Sequence, residues 1–170
     1  TFARALRKNS WRTDIANLIM TGIDFVHAPM AQRERVSFVR GQVQALLPEL
    51  ARMPGVCGCV LLATCNRTEL YVHGEEGASL DPLAMLARAA GFDAASFRGL
   101  SVTHADKACV QHLMAVAAGL ESQIFGDDQI LTQVRDAASL AREAQTTDSV
   151  LDTLFRRAVT AGKRVRTEVR

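Results

Sequence analysis

A cysteine and an arginine two positions apart could carry out nucleophilic chemistry in this chain. Cys65 closely follows an apolar run at residues 56–63, and Arg67 comes after one intervening residue. A neighbouring guanidinium favours the thiolate, which is the nucleophilic form of a thiol. The guanidinium fork also suits a carboxylate, which it can hold through two hydrogen bonds. The alternative is that Cys65 is a small buried apolar side chain, as most free cysteines are.

A nucleophilic cysteine usually needs a partner that moves a proton. His112 is a candidate in a segment with helical periodicity, although a histidine on a helix is more often a packed, hydrogen-bonded residue. His27, His73 and His104 fit the role equally well on sequence grounds. The choice among these histidines stays open at this level.

The other cysteines indicate neither a disulfide framework nor a metal centre. Cys57, Cys59 and Cys109 lie in apolar runs, and the absence of a secretory apolar segment favours free thiols in a reducing cytoplasm. Cys57 and Cys59 have the spacing of side chains on one face of a strand. A zinc site built on these cysteines and the scattered histidines is the weakest hypothesis, and we predict no metal.

Composition and charge exclude several classes of protein. The 170 residues are 48% hydrophobic and 22% charged, as expected for a folded domain rather than a disordered chain. No apolar run approaches the roughly 20 residues that span a bilayer. The net charge is +2, but residues 1–12 carry four basic and no acidic side chains, and residues 151–170 carry six basic and two acidic ones. These ends could contact a polyanion or form solvated helix faces.

The hydrophobic pattern predicts a sheet-forming half followed by a helical half. Strands are expected at residues 18–25, 56–63, 69–73 and 97–103, and helices at 33–50, 82–90, 105–118, 128–144 and from 149 onward. In the strand at 69–73, Glu69 and Tyr71 are expected to face outward and Leu70 and Val72 inward. The expected fold class is α+β, with a small mixed or antiparallel sheet and helices, followed by a mainly helical half.

Four motifs, in the same order, resemble the glutamyl-tRNA reductase family. Residues 62–71, Leu-Ala-Thr-Cys-Asn-Arg-Thr-Glu-Leu-Tyr, are similar to its signature S/A-T-C-N-R-T-E-hydrophobic-Y. Residues 112–134 are similar to its pattern H-L-x-x-V-A-S-G-L-D-S…G-E-P-Q-I-L-x-Q-V. Residues 33–38 and 154–168 also match, and the resemblance covers about residues 18–168.

The resemblance implies an enzyme that reduces glutamyl-tRNA with NADPH to glutamate-1-semialdehyde for tetrapyrrole synthesis. The family's nucleophile matches Cys65, which would attack the aminoacyl ester, release tRNA and leave a thioester for hydride to reduce. The histidine implicated in activity matches His112, and Arg67 would clamp the glutamate side-chain carboxylate. The substrate contacts of the family carry over to Thr64, Asn66, Arg67, Ser122, Asp127, Asp128, Gln129 and Gln133.

The resemblance also implies a domain organisation. Residues 1–17 are expected to be an N-terminal extension, 18–150 the catalytic, glutamate-recognising domain, and 151–170 the start of a long connecting helix. The family binds NADPH in a separate Rossmann domain and dimerises through a helical domain. No G-x-G-x-x-G fingerprint occurs in the 170 residues, so both domains are expected to be absent and the chain is expected to show at most thioester formation and hydrolysis. Further implications are a homodimer of the full-length enzyme, glutamate-1-semialdehyde aminomutase as a partner, and a cytoplasmic location without a membrane.

Two departures from the family pattern leave other hypotheses open. The family's N-H-x-T-A-P appears as Asp-Phe-Val-His-Ala-Pro at residues 24–29, with Phe25 and His27 at the changed positions. Its G-E-P-Q appears as Gly126-Asp127-Asp128-Gln129. Both changes put the amino-acid specificity in question. The alternatives are a divergent paralogue that acts on another aminoacyl-tRNA or acyl carrier, and a non-catalytic module that binds tRNA or a protein.

Overall fold

A four-stranded antiparallel sheet forms the centre of residues 15–168, which are the residues that the computed structural model describes. The strands are β1 (Leu18–Asp24), β2 (Val56–Ala63), β3 (Arg67–Gly74) and β4 (Val102–Ala105). Their order across the sheet is β2-β3-β1-β4. The register pairs Asp24 with Arg67 and Ala63 with Thr68, so one end of each of β1, β2 and β3 meets at the turn formed by residues 64–66.

Six α-helices and a 3₁₀-helix accompany the sheet in this part of the chain. They are α1 (Met30–Arg35), α2 (Arg40–Ala51), α3 (Pro82–Ala90), the 3₁₀-helix (Ala94–Leu100), α4 (Lys107–Ala117), α5 (Gln129–Glu143) and α6 (Ser149–Glu168). Everything regular after β4 is helical, as the sequence predicts. The α+β fold class is confirmed, and every strand pair is antiparallel.

Helices cover both faces of β3, and the outward orientation expected for two of its side chains is wrong. Leu70 and Val72 are buried as predicted, but Glu69 and Tyr71 are also only 1% and 0% exposed. Tyr71 packs edge-on against Phe155 of α6, with ring centroids 5.2 Å apart. The alternation of polar and apolar residues in β3 does separate two faces. Because β3 is a central strand, its polar face lies in a second buried layer and not in solvent.

Cys57 and Cys59 have the spacing of residues on one face of a strand, but a β-bulge at Cys57 interrupts this pattern. Val56 pairs with Gly74 and Gly58 pairs with His73, so Cys57 is the extra residue on β2. Cys57 is exposed, whereas Cys59 is fully buried. The extra residue of a bulge disrupts the alternation of side chains, which is why the prediction from spacing is wrong here.

The helix predicted at residues 33–50 is two helices, and the break lies at Val36. α1 ends at Arg35 and α2 begins at Arg40. Val36 is fully buried, and its carbonyl accepts a hydrogen bond from Thr68 Oγ1 at 2.9 Å instead of continuing a helix. Val36 belongs to a second, smaller hydrophobic core, which also contains Ile23, Ala28, Leu83 and Phe97.

The strand predicted at residues 97–103 begins only at Val102. Residues 94–100 form the 3₁₀-helix, which Asp93 caps by accepting a hydrogen bond from the N–H of Ala95 at 3.1 Å. The apolar side chain of Phe97 packs in the small core around Val36 and does not mark a strand.

The last helix packs closely against α4 through Gly162. A Cβ at Gly162 would lie 2.6 Å from the carbonyl oxygen of Ala117. One turn further on, Arg166 donates to that same oxygen at 2.8 Å. Within residues 15–168, no helix is long and apolar enough to cross a membrane. The basic N-terminal segment at residues 1–12 lies outside the described residues, and the predicted domain boundaries stay predictions.

Candidate active site

Cys65 lies in the tight turn that joins β2 to β3. Thr64 shapes this turn, because its Oγ1 accepts hydrogen bonds from the backbone N–H groups of Asn66 and Arg67, each at 3.2 Å. The N–H of Phe25 donates to the Asn66 carbonyl at 3.0 Å and ties the turn to the end of β1. Cys65 is exposed, and no hydrogen bond from residues 15–168 reaches its Sγ. The end of the sheet thus presents a free thiol.

The turn borders a cavity of about 320 Å³ that Cys65 lines together with two arginines. From the turn and β3 the lining residues are Thr64, Cys65, Asn66, Arg67 and Thr68. From other elements they are Ile23, Met30, Arg33, Glu34, Ser37 and Gln123. The predicted nucleophile therefore shares one cavity with three predicted substrate-binding residues, and the size suits a small group rather than a large one.

Arg67 forms a buried ion pair beneath this cavity. The side chains of Arg67 and Glu69 are 3% and 1% exposed, and Nη1 of Arg67 donates to Oε2 of Glu69 at 3.2 Å. Nη2 of Arg67 donates to the backbone carbonyl of Glu121, which anchors the loop after α4 to the sheet. Two of the donors of Arg67 are thus used inside the protein, and the carboxylate clamp predicted for Arg67 would use the remaining ones.

Glu69 holds three side chains together. In addition to Arg67, it accepts a hydrogen bond from the Tyr71 hydroxyl at 2.8 Å and lies 2.6 Å from Nε2 of His112. Burial raises the pKa of Glu69, but the hydrogen bond and charge of His112, the charge of Arg67 and the hydrogen bond of Tyr71 outweigh burial and hold the pKa below its ordinary value. Burial, followed by the charge of Glu69, raises the pKa of Tyr71 well above its ordinary value. Glu69 is therefore a carboxylate at neutral pH and Tyr71 a phenol.

His112 is absent from the described residues that line the Cys65 cavity. Its ring stacks on His104, with centroids 4.8 Å apart. Burial lowers the pKa of His104, and the nearby charge of His112 lowers it further. The other two histidines are paired elsewhere, His27 with Asp24 at 2.8 Å and His73 with Asp148 at 2.5 Å. None of these four histidines contacts Cys65 directly. His112 is linked to the turn through Glu69 and Arg67.

Five predicted substrate residues lie outside the cavity, on the loop after α4 and on α5. Asp127 accepts a hydrogen bond from the N–H of Gln129 at 2.9 Å, where α5 begins. Arg166 of α6 holds this loop, because it donates to the carbonyl of Asp127 at 2.6 Å and to Asp128 Oδ1 at 3.0 Å. The five residues are Ser122, Asp127, Asp128, Gln129 and Gln133, the last of which lines a separate groove beside Leu62.

Four side chains that shape the site were missed by sequence reasoning. Glu69 is part of the signature motif but was expected in solvent, and Arg33 belongs to a matched segment without an assigned role. A charged residue inside an otherwise apolar strand is the signal that could have identified Glu69. Gln123 and Arg166 also lie within matched segments, but the contact of Gln123 with the cavity and that of Arg166 with the loop after α4 depend on the folding of the chain.

The described residues do not fit the binding of NADPH. Dinucleotides bind at the carboxyl ends of parallel strands that are followed by helices, and a glycine-rich fingerprint forms the first turn. Every strand pair in residues 15–168 is antiparallel, and the sequence contains no such fingerprint. Within the same residues, no group of three or more His, Cys, Asp or Glu side chains is arranged to hold a metal ion.

Comparison with known proteins finds similar sequences and a similar structure. The sequence model of the family described as glutamyl-tRNAGlu reductase, N-terminal domain, matches residues 21–169. The chain is 43% identical over 154 residues to a glutamyl-tRNA reductase from Acetivibrio thermocellus, a match that covers 91% of this chain and 46% of the relative. It is 38% identical over 157 residues to a probable multifunctional siroheme biosynthesis protein from Ruminiclostridium josui, with 92% and 30% covered.

A solved structure extends this comparison to the fold. A glutamyl-tRNA reductase from Methanopyrus kandleri superimposes with a TM-score of 0.71 at 31% identity, over 89% of this chain and 35% of that chain. The chain thus spans less than half the length of each of these relatives.

Proposed function

The chain belongs to the glutamyl-tRNA reductase family, as its N-terminal domain, and on that premise we propose that it accepts the glutamyl group of glutamyl-tRNA on the thiol of Cys65. One observation carries this proposal. Cys65 is exposed at the end of the sheet and lines a cavity together with Arg33 and Arg67. A nucleophile beside guanidinium groups suits a substrate that joins a carbonyl to a carboxylate.

The proposed step is an acyl transfer from oxygen to sulfur. The thiolate of Cys65 attacks the carbonyl carbon of the aminoacyl ester, a carbon–sulfur bond forms, and the bond from that carbon to the ribose oxygen breaks. The ribose oxygen leaves as a hydroxyl of the free tRNA, and its new proton balances the one lost from the thiol. The product is a thioester, which accepts hydride more readily than a carboxylate does.

In this proposal, residues 15–168 do not carry out the reduction that gives the family its name. NADPH would supply the hydride that converts the thioester to glutamate-1-semialdehyde. Without a hydride donor, water would cleave the thioester and return Cys65 and free glutamate. In this proposal, residues 15–168 therefore carry out the acyl-transfer half of the reaction. The predicted homodimer and the predicted aminomutase partner concern the whole enzyme and stay predictions.

His112 is a positioning residue in this proposal. It binds Glu69, and Glu69 binds Arg67, whose backbone N–H is held by Thr64 in the turn of Cys65. Loss of His112 would leave Glu69 with fewer partners and loosen the ion pair beneath the cavity. The histidine can affect acyl transfer in this way without contact to the thiol.

The loop after α4 and the start of α5 are proposed to contact the part of glutamyl-tRNA that extends from the cavity. The loop is tied to the turn through the bond from Arg67 to Glu121, and Gln123 reaches the cavity. The proposed contacts are those implied by the resemblance, namely Ser122, Asp127, Asp128, Gln129 and Gln133, in addition to Thr64, Asn66 and Arg67.

Deacylation of glutamyl-tRNA by the chain tests the proposal. Wild type should release tRNA and free glutamate faster than buffer alone, and Cys65→Ala should lose this acceleration. Cys57→Ala is the matched control, because Cys57 is the other exposed thiol and lies in the bulge of β2. Equal deacylation by wild type and Cys65→Ala would contradict the proposal. Binding of glutamyl-tRNA without any deacylation would favour the non-catalytic module.

A further inference from the structure

We propose that the groove between α5 and α6 binds the phosphate backbone of the tRNA whose glutamyl group is transferred to Cys65, an inference that rests on the proposed function. The groove has a volume of about 450 Å³. The apolar side chains of Ala138, Phe155 and Val159 line its base, and basic side chains from both helices surround them. We call it the basic groove. None of its lining residues is among the substrate contacts that the resemblance implies.

Four exposed basic side chains line the basic groove, against one acidic side chain. The basic residues are Arg135 and Arg142 of α5 and Arg156 and Lys163 of α6, and the acidic residue is Asp152. The two cations of each helix are seven residues apart in sequence, which is about 10 Å along the helix axis. The groove thus has an excess of three positive charges, although the whole chain has a net charge of only +2.

No acidic side chain in the described part of the chain neutralises the two cations that α6 contributes. Arg156 and Lys163 form no ion pair within residues 15–168. Arg142 is paired with Asp152, but the distance is 3.7 Å and both side chains are partly in solvent. An exposed ion pair of this kind contributes little stability, so a phosphate can compete for the guanidinium. The groove therefore offers positive charge to a ligand.

The acidic side chains of α5 do not line the basic groove. Asp136 lines the separate groove beside Leu62 and lies 3.9 Å from Arg135. Glu143 lies 3.7 Å from Arg40 of α2. The acidic side chains of α5 thus line or contact other parts of the surface, whereas both signs of charge are interspersed on an ordinary solvated surface. This separation favours a binding role for the groove over a merely solvated one.

A second hollow connects the basic groove to the loop after α4. The residues that line this hollow are Leu131, Lys163, Arg166 and Thr167. Lys163 therefore borders both the groove and the hollow. Arg166 also donates to the carbonyl of Asp127 and so holds the loop from which Gln123 reaches the cavity of Cys65. A tRNA whose glutamyl end occupies that cavity can continue past this loop into the basic groove.

A polyanion is the partner that this charge pattern fits. Contacts of lysine and arginine with phosphates are the sequence-independent part of nucleic-acid binding. The cavity beside Cys65 has a volume of about 320 Å³, so the body of a tRNA must lie on the surface outside it. An acidic segment of a protein would also be attracted by four cations. The proposed reaction favours RNA, because it brings a polyanion to the loop that adjoins the groove.

Binding of tRNA at several salt concentrations tests this inference. The probe is the uncharged, fluorescently labelled tRNA that accepts glutamate, and fluorescence anisotropy measures its affinity. Arg156→Gln combined with Lys163→Gln should weaken binding about 3- to 30-fold. The slope of the logarithm of affinity against the logarithm of salt concentration should fall in magnitude by about 1.4 to 1.8, as expected for two lost phosphate contacts. The concentration of glutamyl-tRNA that half-saturates acyl transfer should rise by a factor similar to the loss of affinity.

Two further variants control for total charge and for folding. Arg52→Gln combined with Arg88→Gln removes two exposed cations that do not line the basic groove, and it should keep the wild-type salt slope. Asp152→Asn removes the carboxylate of the groove and should tighten tRNA binding about 2- to 5-fold. A loss of folding cannot produce such a gain.

Unchanged affinity and salt slope in the double variant of Arg156 and Lys163 would overturn the inference and leave the groove to an acidic protein segment or to solvent. Equal losses in that variant and in the double variant of Arg52 and Arg88 would also overturn it, because net charge alone predicts that result. Weaker tRNA binding by the groove variant, together with a wild-type chain that does not acylate Cys65, would contradict the proposed function alone. The two failures are therefore distinguishable.

Discussion

His112 on α4 and Arg67 on β3 bind the same oxygen, Oε2 of Glu69, at 2.6 Å and 3.2 Å. Arg67 is the residue at which the turn of Cys65 ends and β3 begins. One buried carboxylate thus connects a helix to the turn that presents the thiol. Through this connection His112 can influence the site, although it does not line the cavity.

Replacing Glu69 by Gln should lower the free energy of unfolding by about 3–5 kcal/mol near neutral pH, because the buried guanidinium of Arg67 loses its counter-charge. The pKa of Glu69 in the folded chain lies below its ordinary value of 4.5. Its carboxylate therefore stabilises the fold fully above about pH 4.5, and this contribution is lost as the pH falls through the lowered pKa. The difference between wild type and Glu69→Gln, measured by urea denaturation, should shrink as the pH falls below about 4.5.

Glu49→Gln is the control for this experiment, since Glu49 is exposed on α2. It should change the free energy of unfolding by less than about 0.5 kcal/mol near neutral pH. A difference between wild type and Glu69→Gln that stays constant as the pH falls would contradict the low pKa of Glu69.

His104 should titrate below its ordinary pKa of 6.5, because burial and then the charge of His112 disfavour its protonated form. His112→Gln removes that charge and should move the pKa of His104 upward, whereas His73→Gln should not change it. Since the folded chain binds this proton less readily than the unfolded chain, His104 favours folding above pH 6.5 and this stabilisation is lost as the pH falls. NMR titration of the imidazole protons measures the shift; an unchanged midpoint in His112→Gln would contradict the stacked arrangement.

Gly162→Ala should destabilise the chain by about 1–3 kcal/mol, although alanine is the better helix former. Its Cβ would lie 2.6 Å from the carbonyl oxygen of Ala117 and 2.8 Å from Leu131 Cδ1, so α6 and α4 would have to separate. Gly41→Ala is the matched control, because Gly41 lies in α2 with open space around it and should gain up to about 1 kcal/mol. Thermal unfolding of both variants measures the contrast, and equal shifts of the two would contradict the close packing of α6.

Iodoacetamide should modify Cys65 and Cys57 in the folded chain and leave Cys59 and Cys109 unmodified. Cys59 and Cys109 are fully buried, and burial raises the pKa of each to about 12. Cys57 is exposed, but partial burial and the nearby carboxylates of Asp148 and Glu75 raise its pKa, so it should react more slowly than an ordinary thiol at neutral pH. Peptide mapping by mass spectrometry measures each site, and labelling of Cys59 before unfolding would contradict the structure.

The strands β1, β2 and β3 and the place of Cys65 could be predicted from the sequence because their signals are local. The apolar run of residues 56–63 and the motif that follows it define a buried strand and the turn at its end. The periodicity of the second half likewise defines α4, α5 and α6 to within a few residues. In each case the residues that carry the signal are neighbours in the chain.

The interior of the site could not be predicted, because it depends on contacts between distant residues. Alternation in β3 separates Glu69 from Leu70 but does not reveal that helices cover both faces. The break at Val36 depends on a hydrogen bond from Thr68, and Arg33 lies near Cys65 only because α1 and the turn border the same cavity. Such relationships appear only once the strands and helices are packed together.

Intact-mass spectrometry of the chain after mixing with glutamyl-tRNA tests most directly whether Cys65 accepts the acyl group. Wild type and Cys57→Ala should each gain the mass of one glutamyl group, and hydroxylamine should remove it, as expected for a thioester. Cys65→Ala should gain no mass. A wild-type chain without an adduct, or an adduct that persists in Cys65→Ala, would contradict the assignment of Cys65 as the nucleophile.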